Sequence, residues 1–130
     1  MIKLPSTEKI IQFNLLALTI IKAKKADQPK VLSKTKISEV LEECEKAEGD
    51  IYDKAVVILK GIVQKHAFAS GNRRTAFIAT RHLLETNRTR LGIEDKPENA
   101  RVMLGIRENY YSDGEIKEWI KNGKIREFER

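Results

Sequence analysis

Cysteine, long apolar runs and the alternation typical of β-strands are all scarce in this sequence. Cys44 is the single cysteine, which excludes a disulfide within the chain, suits a reducing compartment and is expected to be a small buried side chain. The longest apolar run, Leu15 to Ile21, is interrupted by Thr19 and is far shorter than the roughly 20 residues that cross a bilayer. With no basic, apolar leader at its start, the chain is expected to be soluble and cytoplasmic, without membrane contact.

Positive charge is in excess, with 25 Lys and Arg against 19 Asp and Glu and a net charge of +6. Such a balance favours anionic partners such as nucleotides, nucleic acid or an acidic protein. A nucleic-acid-binding module rests on this charge alone, so nucleic acid is the weakest of the three. No His, Cys, Asp and Glu cluster has the spacing of metal ligands, so a transition-metal site held by the protein is not expected.

Helical periodicity runs through nearly the whole chain. Six segments carry cap signals or helically spaced apolar residues: a helix capped by Ser6 or Thr7, one from Ile37 to Gly49, one over 50–65 capped by Asp50, one from Gly71–Asn72 to Asn87, one starting at Pro97–Glu98, and one from Ser112 to Asn122–Gly123. We therefore predict one compact all-α domain over residues 1–130, with helix 50–65 at its centre. Ile58, Leu59, Ile62 and Phe77 should be nearly fully buried.

The lysine-rich residues 22–36, around Pro29, are the least regular part of the sequence. The first helix should fade near Ala26–Asp27 because the residue before a proline disfavours the helical conformation. We predict a loop or a short extended flap near residues 26–36.

The loop between the two most apolar helices concentrates groups that suit phosphate. Gly71 allows close approach to the backbone, Asn72 can donate an amide hydrogen bond, and Arg73 and Arg74 offer guanidinium forks. The unpaired N–H groups and the dipole at the start of the following helix also favour an anion. His66, just ahead of this cradle, can take a proton from an incoming hydroxyl.

Over residues 66–74 the sequence reads His-x-Phe-x-x-Gly-Asn-x-Arg, which resembles the signature of the Fic/Doc family. The resemblance is sharp over residues 66–76 and rests on length and helix order elsewhere. It implies a helical Fic/Doc-type fold and a nucleoside triphosphate as co-substrate. It further implies that His66 is the catalytic base, that Arg74 acts with it and that Phe68 anchors the loop. Ser70, Gly71, Asn72, Arg73 and Arg74 would then bind the nucleotide phosphates.

Two positions separate the branches of this family. Fic enzymes that transfer AMP have Gly at the position of Arg73 and a further Arg at the position of Phe77. Doc toxins have Lys at the first position and lack the later Arg. With Arg73 and Phe77 at these two positions, this sequence resembles the Doc toxins more closely. The resemblance implies a toxin of a toxin–antitoxin pair. It would transfer a terminal phosphoryl group to a Ser or Thr of a protein of the translation machinery, and a separate antitoxin would restrain it. AMP transfer is the alternative within the family.

Ser70 stands where the family has the acidic residue that holds Mg²⁺ against the nucleotide. A hydroxyl is a poor substitute for a carboxylate in binding this hard cation. Mg²⁺ would therefore be held weakly, largely by nucleotide and water, or catalysis would be impaired. A second alternative follows, a degenerate protein that binds nucleotide without transferring any part of it.

Overall fold

This computed structural model describes residues 1–20 and 30–129 of the protein. These residues contain six α-helices. In chain order they are α1 (Thr7–Ile20), α2 (Lys34–Lys46), α3 (Ile51–Lys65), α4 (Asn72–Thr86), α5 (Asn99–Arg107) and α6 (Asp113–Asn122). Within these ranges there is no strand, only an isolated antiparallel bridge between Val31 and Phe68. The all-α prediction is confirmed. None of the described helices is long and apolar enough to span a membrane.

The centre of the fold is α3, which contacts α2, α4, α5 and α6. Its start is fixed by a capping box, in which Asp50 accepts from the backbone N–H of Asp53 and Asp53 accepts from that of Asp50. Ile58, Leu59 and Ile62 are buried, as predicted. A helix with so many apolar residues is stable here because neighbouring helices cover most of its circumference.

Phe77 is only partly buried, so the prediction that it is nearly fully buried is wrong. It lies three residues beyond Arg74, on the helical face that begins with the exposed arginines of the first turn of α4. The guanidinium of Arg81 lies 5.5 Å from its ring centroid. Apolar spacing alone does not reveal that this face of α4 lines a cavity.

The segment predicted as a flap is shorter than expected among the residues described. Residues 34–36 already belong to α2, because the Ser33 hydroxyl caps its start by accepting from the Lys36 N–H at 3.2 Å. Residues 30–33 precede α2 and pair with the loop after α3. The N–H groups of Leu32 and Ser33 donate to the Ala67 carbonyl at 2.8 and 3.1 Å. The rest of the predicted flap, residues 26–29, and the predicted end of the first helix at Ala26–Asp27 lie outside the described residues.

The end of α2 is held by a lysine from the next helix. Lys54 Nζ donates to three carbonyl oxygens, those of Cys44, Glu45 and Ala47, at 2.8, 2.9 and 3.0 Å. Carbonyls at a helix C-terminus lack partners within the helix, and a cation there is favoured by the helix dipole. The helix therefore ends at Lys46, three residues before the predicted stop at Gly49. Cys44 is fully buried, as expected, and this burial raises the pKa of its thiol to about 11.

The other predicted helix ends agree closely with the structure. Ser6 accepts from the Lys9 N–H at 3.1 Å and so caps α1. Ser112 and Glu115 form the predicted capping box of α6, which ends at Gly123 with a φ of 75°. Pro97 and Glu98 form a turn directly before α5 rather than its first turn, since α5 begins at Asn99.

Candidate functional site

A cavity of about 660 Å³ is lined by the loop after α3, the first turns of α4 and the segment that includes α5. Its volume falls in the range of small-molecule sites, roughly 300–1,000 Å³. The lining brings together all but one of the site residues predicted from the sequence, namely His66, Ser70, Gly71, Asn72, Arg73 and Arg74. Phe68 is the exception. It is fully buried beneath the loop, as its expected role of anchor requires.

The loop turns sharply at both of its ends. His66 closes α3 in the left-handed conformation, with φ 52° and ψ 56°, and Gly71 precedes α4 with φ 77°. A Cβ built on Gly71 would lie 3.2 Å from Leu18 Cδ2 and 3.3 Å from Asn14 Nδ2. Glycine is therefore required here by backbone conformation and by the close approach of α1, before any ligand is considered.

Asn72 is the internal brace of the loop. Its side chain is buried, and its Oδ1 accepts from the Phe68 N–H at 3.1 Å while its Nδ2 donates to the Phe68 carbonyl at 2.9 Å. Nδ2 also lies 3.2 Å from His66 Nδ1. Both amide hydrogens are thus used within the loop, whereas the sequence had suggested that this amide donates to a phosphate oxygen.

This brace also determines the tautomer of His66. The Phe68 backbone fixes the orientation of the Asn72 amide, because its N–H needs an acceptor and its carbonyl needs a donor. Nδ2 therefore faces His66, and His66 Nδ1 must accept the hydrogen bond. A neutral imidazole in this arrangement carries its proton on Nε2. The imidazole is exposed, so that proton is accessible from the cavity.

Sequence reasoning missed Asn14, which braces the loop from α1. Asn14 is 2% exposed, and its Nδ2 donates to the Ser70 carbonyl at 2.8 Å and to Thr75 Oγ1 at 3.1 Å. It thereby joins α1 to the end of the loop and to the first turn of α4. The signal that could have revealed it is an amide on the apolar face of a helix, between Ile10 and Leu18, because a buried amide needs partners.

Arg73 and Arg74 are exposed at the start of α4. Within the described residues neither forms an ion pair or a side-chain hydrogen bond, and no side chain caps this helix start. Two cations beside the positive end of a helix dipole are electrostatically unfavourable, because like charges repel. A bound anion would remove that repulsion, so the local charges of the loop are those of an anion site.

The side chains around the cavity do not match a dedicated Mg²⁺ site. Ser70 occupies the loop position where the resemblance places an acid, and Asp95 is the one carboxylate that the described residues contribute to the cavity lining. Among residues 1–20 and 30–129, no three His, Cys, Asp or Glu side chains are grouped as metal ligands. Mg²⁺ prefers oxygen ligands and usually retains nucleotide phosphates and water in its shell. Any Mg²⁺ here would depend on the nucleotide for most of its ligands.

The loop and the helices on either side of it are similar in sequence to a known protein family. The sequence model of the Fic/DOC family matches residues 23–84, a range that contains α2, α3, the loop over 66–71 and most of α4. No curated protein matches the chain. The matched range holds both the braced loop and the two helices that it connects. The match therefore shows that this loop and the two helices that it connects are similar to the Fic/DOC family.

Proposed function

We propose that this chain is a Fic-type transferase that moves a phosphoryl group from a nucleoside triphosphate to a Ser or Thr hydroxyl of a protein. The main support for this proposal is that one cavity wall combines the accessible imidazole of His66 with the unpaired guanidiniums of Arg73 and Arg74. Phosphoryl transfer requires little covalent chemistry from the protein, since it depends on positioning and on stabilising charge. A preformed loop with two cations supports both requirements.

Phe77 and Arg73 favour terminal phosphoryl transfer over AMP transfer. Phe77 lies in the cavity lining, so an apolar ring occupies the position where AMP-transferring relatives place a second arginine. Arg73 adds bulk where those relatives have glycine. The site is therefore poorly suited to receive the outer phosphates of a triphosphate beyond the transferred group. A nucleotide that presents its terminal phosphoryl group to the acceptor suits these side chains better.

In the proposed reaction the acceptor oxygen attacks the terminal phosphorus, and the bond from that phosphorus to the bridging oxygen breaks. The leaving nucleoside diphosphate keeps that electron pair. Arg73 and Arg74 offset the charge that develops on the transferring group. His66 takes the proton of the acceptor hydroxyl. In the tautomer held by Asn72 the basic nitrogen is Nδ1, so Asn72 must release this atom as the hydroxyl arrives.

The biological role that we propose is that of a Doc-like toxin. The family likeness supports an acceptor in the translation machinery and restraint by a separate antitoxin protein. We expect the protein to act in the cytoplasm, with a nucleoside triphosphate as its co-substrate. Expression of the chain alone should then arrest growth, and the His66→Ala variant should not.

Radiolabelled nucleotide distinguishes this proposal from its alternatives. A cytosolic extract that supplies acceptor proteins would be incubated with the chain and ATP labelled at the γ or the α phosphate. Label from the γ position should appear on protein, and His66→Ala should abolish it while ATP binding is retained. The matched control is His82→Ala. His82 lies on α4 against Phe13, with ring centroids 5.0 Å apart, and does not line the cavity.

Two other outcomes would replace the proposal. Transfer of the α label would establish AMP transfer. Binding of ATP without transfer of either label would favour the degenerate nucleotide-binding protein that Ser70 makes plausible.

A further inference from the structure

Arg107 reaches the same cavity from a different helix. It lies in the last turn of α5 and lines the cavity together with Arg73 and Arg74 of α4. More than 30 residues separate it from these arginines along the chain, so no local sequence pattern connects them. Val63 and Met103 contribute apolar surface to the same lining.

A basic residue in the last turn of a helix is often explained by the helix dipole alone. Arg107 is exposed, and within the described residues its guanidinium makes no hydrogen bond and no ion pair. Other arginines of this chain are engaged. Arg101 Nε donates to the Phe128 carbonyl at 3.0 Å, and Arg126 pairs with Glu115. Arg107 thus has its full set of donors available to a ligand in the cavity.

The charges of the cavity lining are strongly unbalanced. Among the described residues, three guanidiniums without acidic partners share it with a single carboxylate, that of Asp95. Lys96 also lines the cavity and pairs with Glu94 at 3.0 Å. One phosphate group can accept from one or two guanidinium forks, whereas cations on two separate helices suit an anion that extends between them. This distribution favours a polyphosphate over a single phosphate.

We propose that Arg107 is a phosphate-binding residue of the nucleotide site and that it recognises the part of the phosphate chain that distinguishes ATP and ADP from AMP. This proposal rests on the proposed function only in assuming that the ligand is a nucleotide. It assigns to α5 a role in nucleotide selection that the loop sequence does not contain. Arg107 would act on binding, without taking part in proton transfer.

Calorimetric titration of Arg107→Gln with ATP, ADP and AMP tests this inference. Loss of charge-assisted hydrogen bonds to phosphate should weaken ATP and ADP binding by about tenfold or more and leave AMP binding within about twofold. The matched control is Arg90→Gln. The Arg90 side chain is exposed, lies outside the cavity lining and has no side-chain partner among the described residues. It loses the same unit of charge and should leave all three affinities unchanged.

The outcomes separate this inference from the proposed function. Equal ATP binding by Arg107→Gln and Arg90→Gln would overturn the role of Arg107 and leave phosphoryl transfer intact. An equal loss for AMP and ATP would also overturn it, because the contact would not then read the phosphate chain. Selective loss of ATP and ADP in a protein that transfers no label would support the role of Arg107 and reject the proposed reaction. Failure of the unmodified chain to bind any of the three nucleotides would reject both.

Discussion

Replacing Asn72 with Asp should move the proton of neutral His66 from Nε2 to Nδ1. In the unmodified loop the Asn72 amide donates to His66 Nδ1, because its oxygen is already committed to the Phe68 N–H. A carboxylate retains the acceptor for Phe68 but has no hydrogen to donate. The stable arrangement then has Nδ1–H donating to Asp, with the lone pair on Nε2. One substitution thus reverses the donor and acceptor roles of the two ring nitrogens.

The same substitution has a calculable effect on stability. The Phe68 carbonyl loses the donor that lies 2.9 Å away, and a carboxylate oxygen takes the place of that donor. Because Phe68 is fully buried, its carbonyl has little access to water, and an unsatisfied buried acceptor costs about 1–3 kcal/mol. The new bond to His66 offsets part of this loss. We expect the free energy of unfolding to fall by roughly 1–2 kcal/mol, so the variant should still fold.

Nitrogen-15 NMR of the imidazole rings measures the tautomer directly at a pH where histidine is neutral. The chain has two histidines, and His82 provides an internal reference because burial, with a smaller contribution from Lys9, lowers its pKa. Only the His66 signals should change in Asn72→Asp, while urea denaturation reports the change in stability. An Nδ1–H tautomer for His66 in the unmodified chain would refute the reasoning, as would identical tautomers in the two proteins.

Four further predictions follow from individual contacts. Phe68→Ala should lower the free energy of unfolding by about 3–5 kcal/mol in urea denaturation, since it removes a fully buried ring; a loss under about 1 kcal/mol would mean that the loop does not depend on its anchor. Lys54→Met should cost about 2 kcal/mol, because three carbonyls at the end of α2 lose their donor; an unchanged denaturation midpoint would contradict this. Hydrogen bonds from the Arg126 side chain and the Ser112 backbone lower the pKa of Glu115 to about 2 from the ordinary 4.5. The contribution of Glu115 to stability is therefore present above pH 4.5 and is lost as the pH falls towards 2. Arg126→Gln should flatten the pH dependence of thermal unfolding in that window. Ser70→Asp should increase the dependence of ATP binding on Mg²⁺, measured by titration with and without the ion, and equal Mg²⁺ dependence in both proteins would show that other groups hold the metal.

Local signals in the sequence predicted the helices well. Asp50 and Ser112 each stand at a helix start with an acid three residues later, and both form the capping boxes that this spacing indicates. Such motifs act over four residues, so neighbouring sequence determines them. The early start of α2 could have been found in the same way, since Ser33 is a suitable N-cap. The excess of lysine around it suggested a loop instead.

Contacts between distant segments could not be predicted from such signals. Asn14 and the Ser70 carbonyl that it binds are 56 residues apart, and Arg107 lines the same cavity as the loop because α5 packs against α3. The predicted burial of Phe77 was wrong for the same reason, because apolar spacing on α4 does not distinguish a face that packs against another helix from one that lines a cavity. The motif located one wall of the candidate site, and the packing of the helices determined the other.

The Asn72–His66 hydrogen bond sets a condition on the proposed chemistry. While that bond is intact, His66 offers the cavity a donor, its Nε2–H, and its one basic nitrogen is engaged. A donor stabilises a bound phosphate in the ground state, whereas a base acts only when the acceptor hydroxyl loses its proton. Catalysis by His66 therefore requires that the acceptor protein shift the imidazole away from Asn72. A chain in which this shift did not occur would bind nucleotide through the same loop and transfer nothing, so the difference between the transferase and its degenerate alternative lies in one hydrogen bond as much as in Ser70.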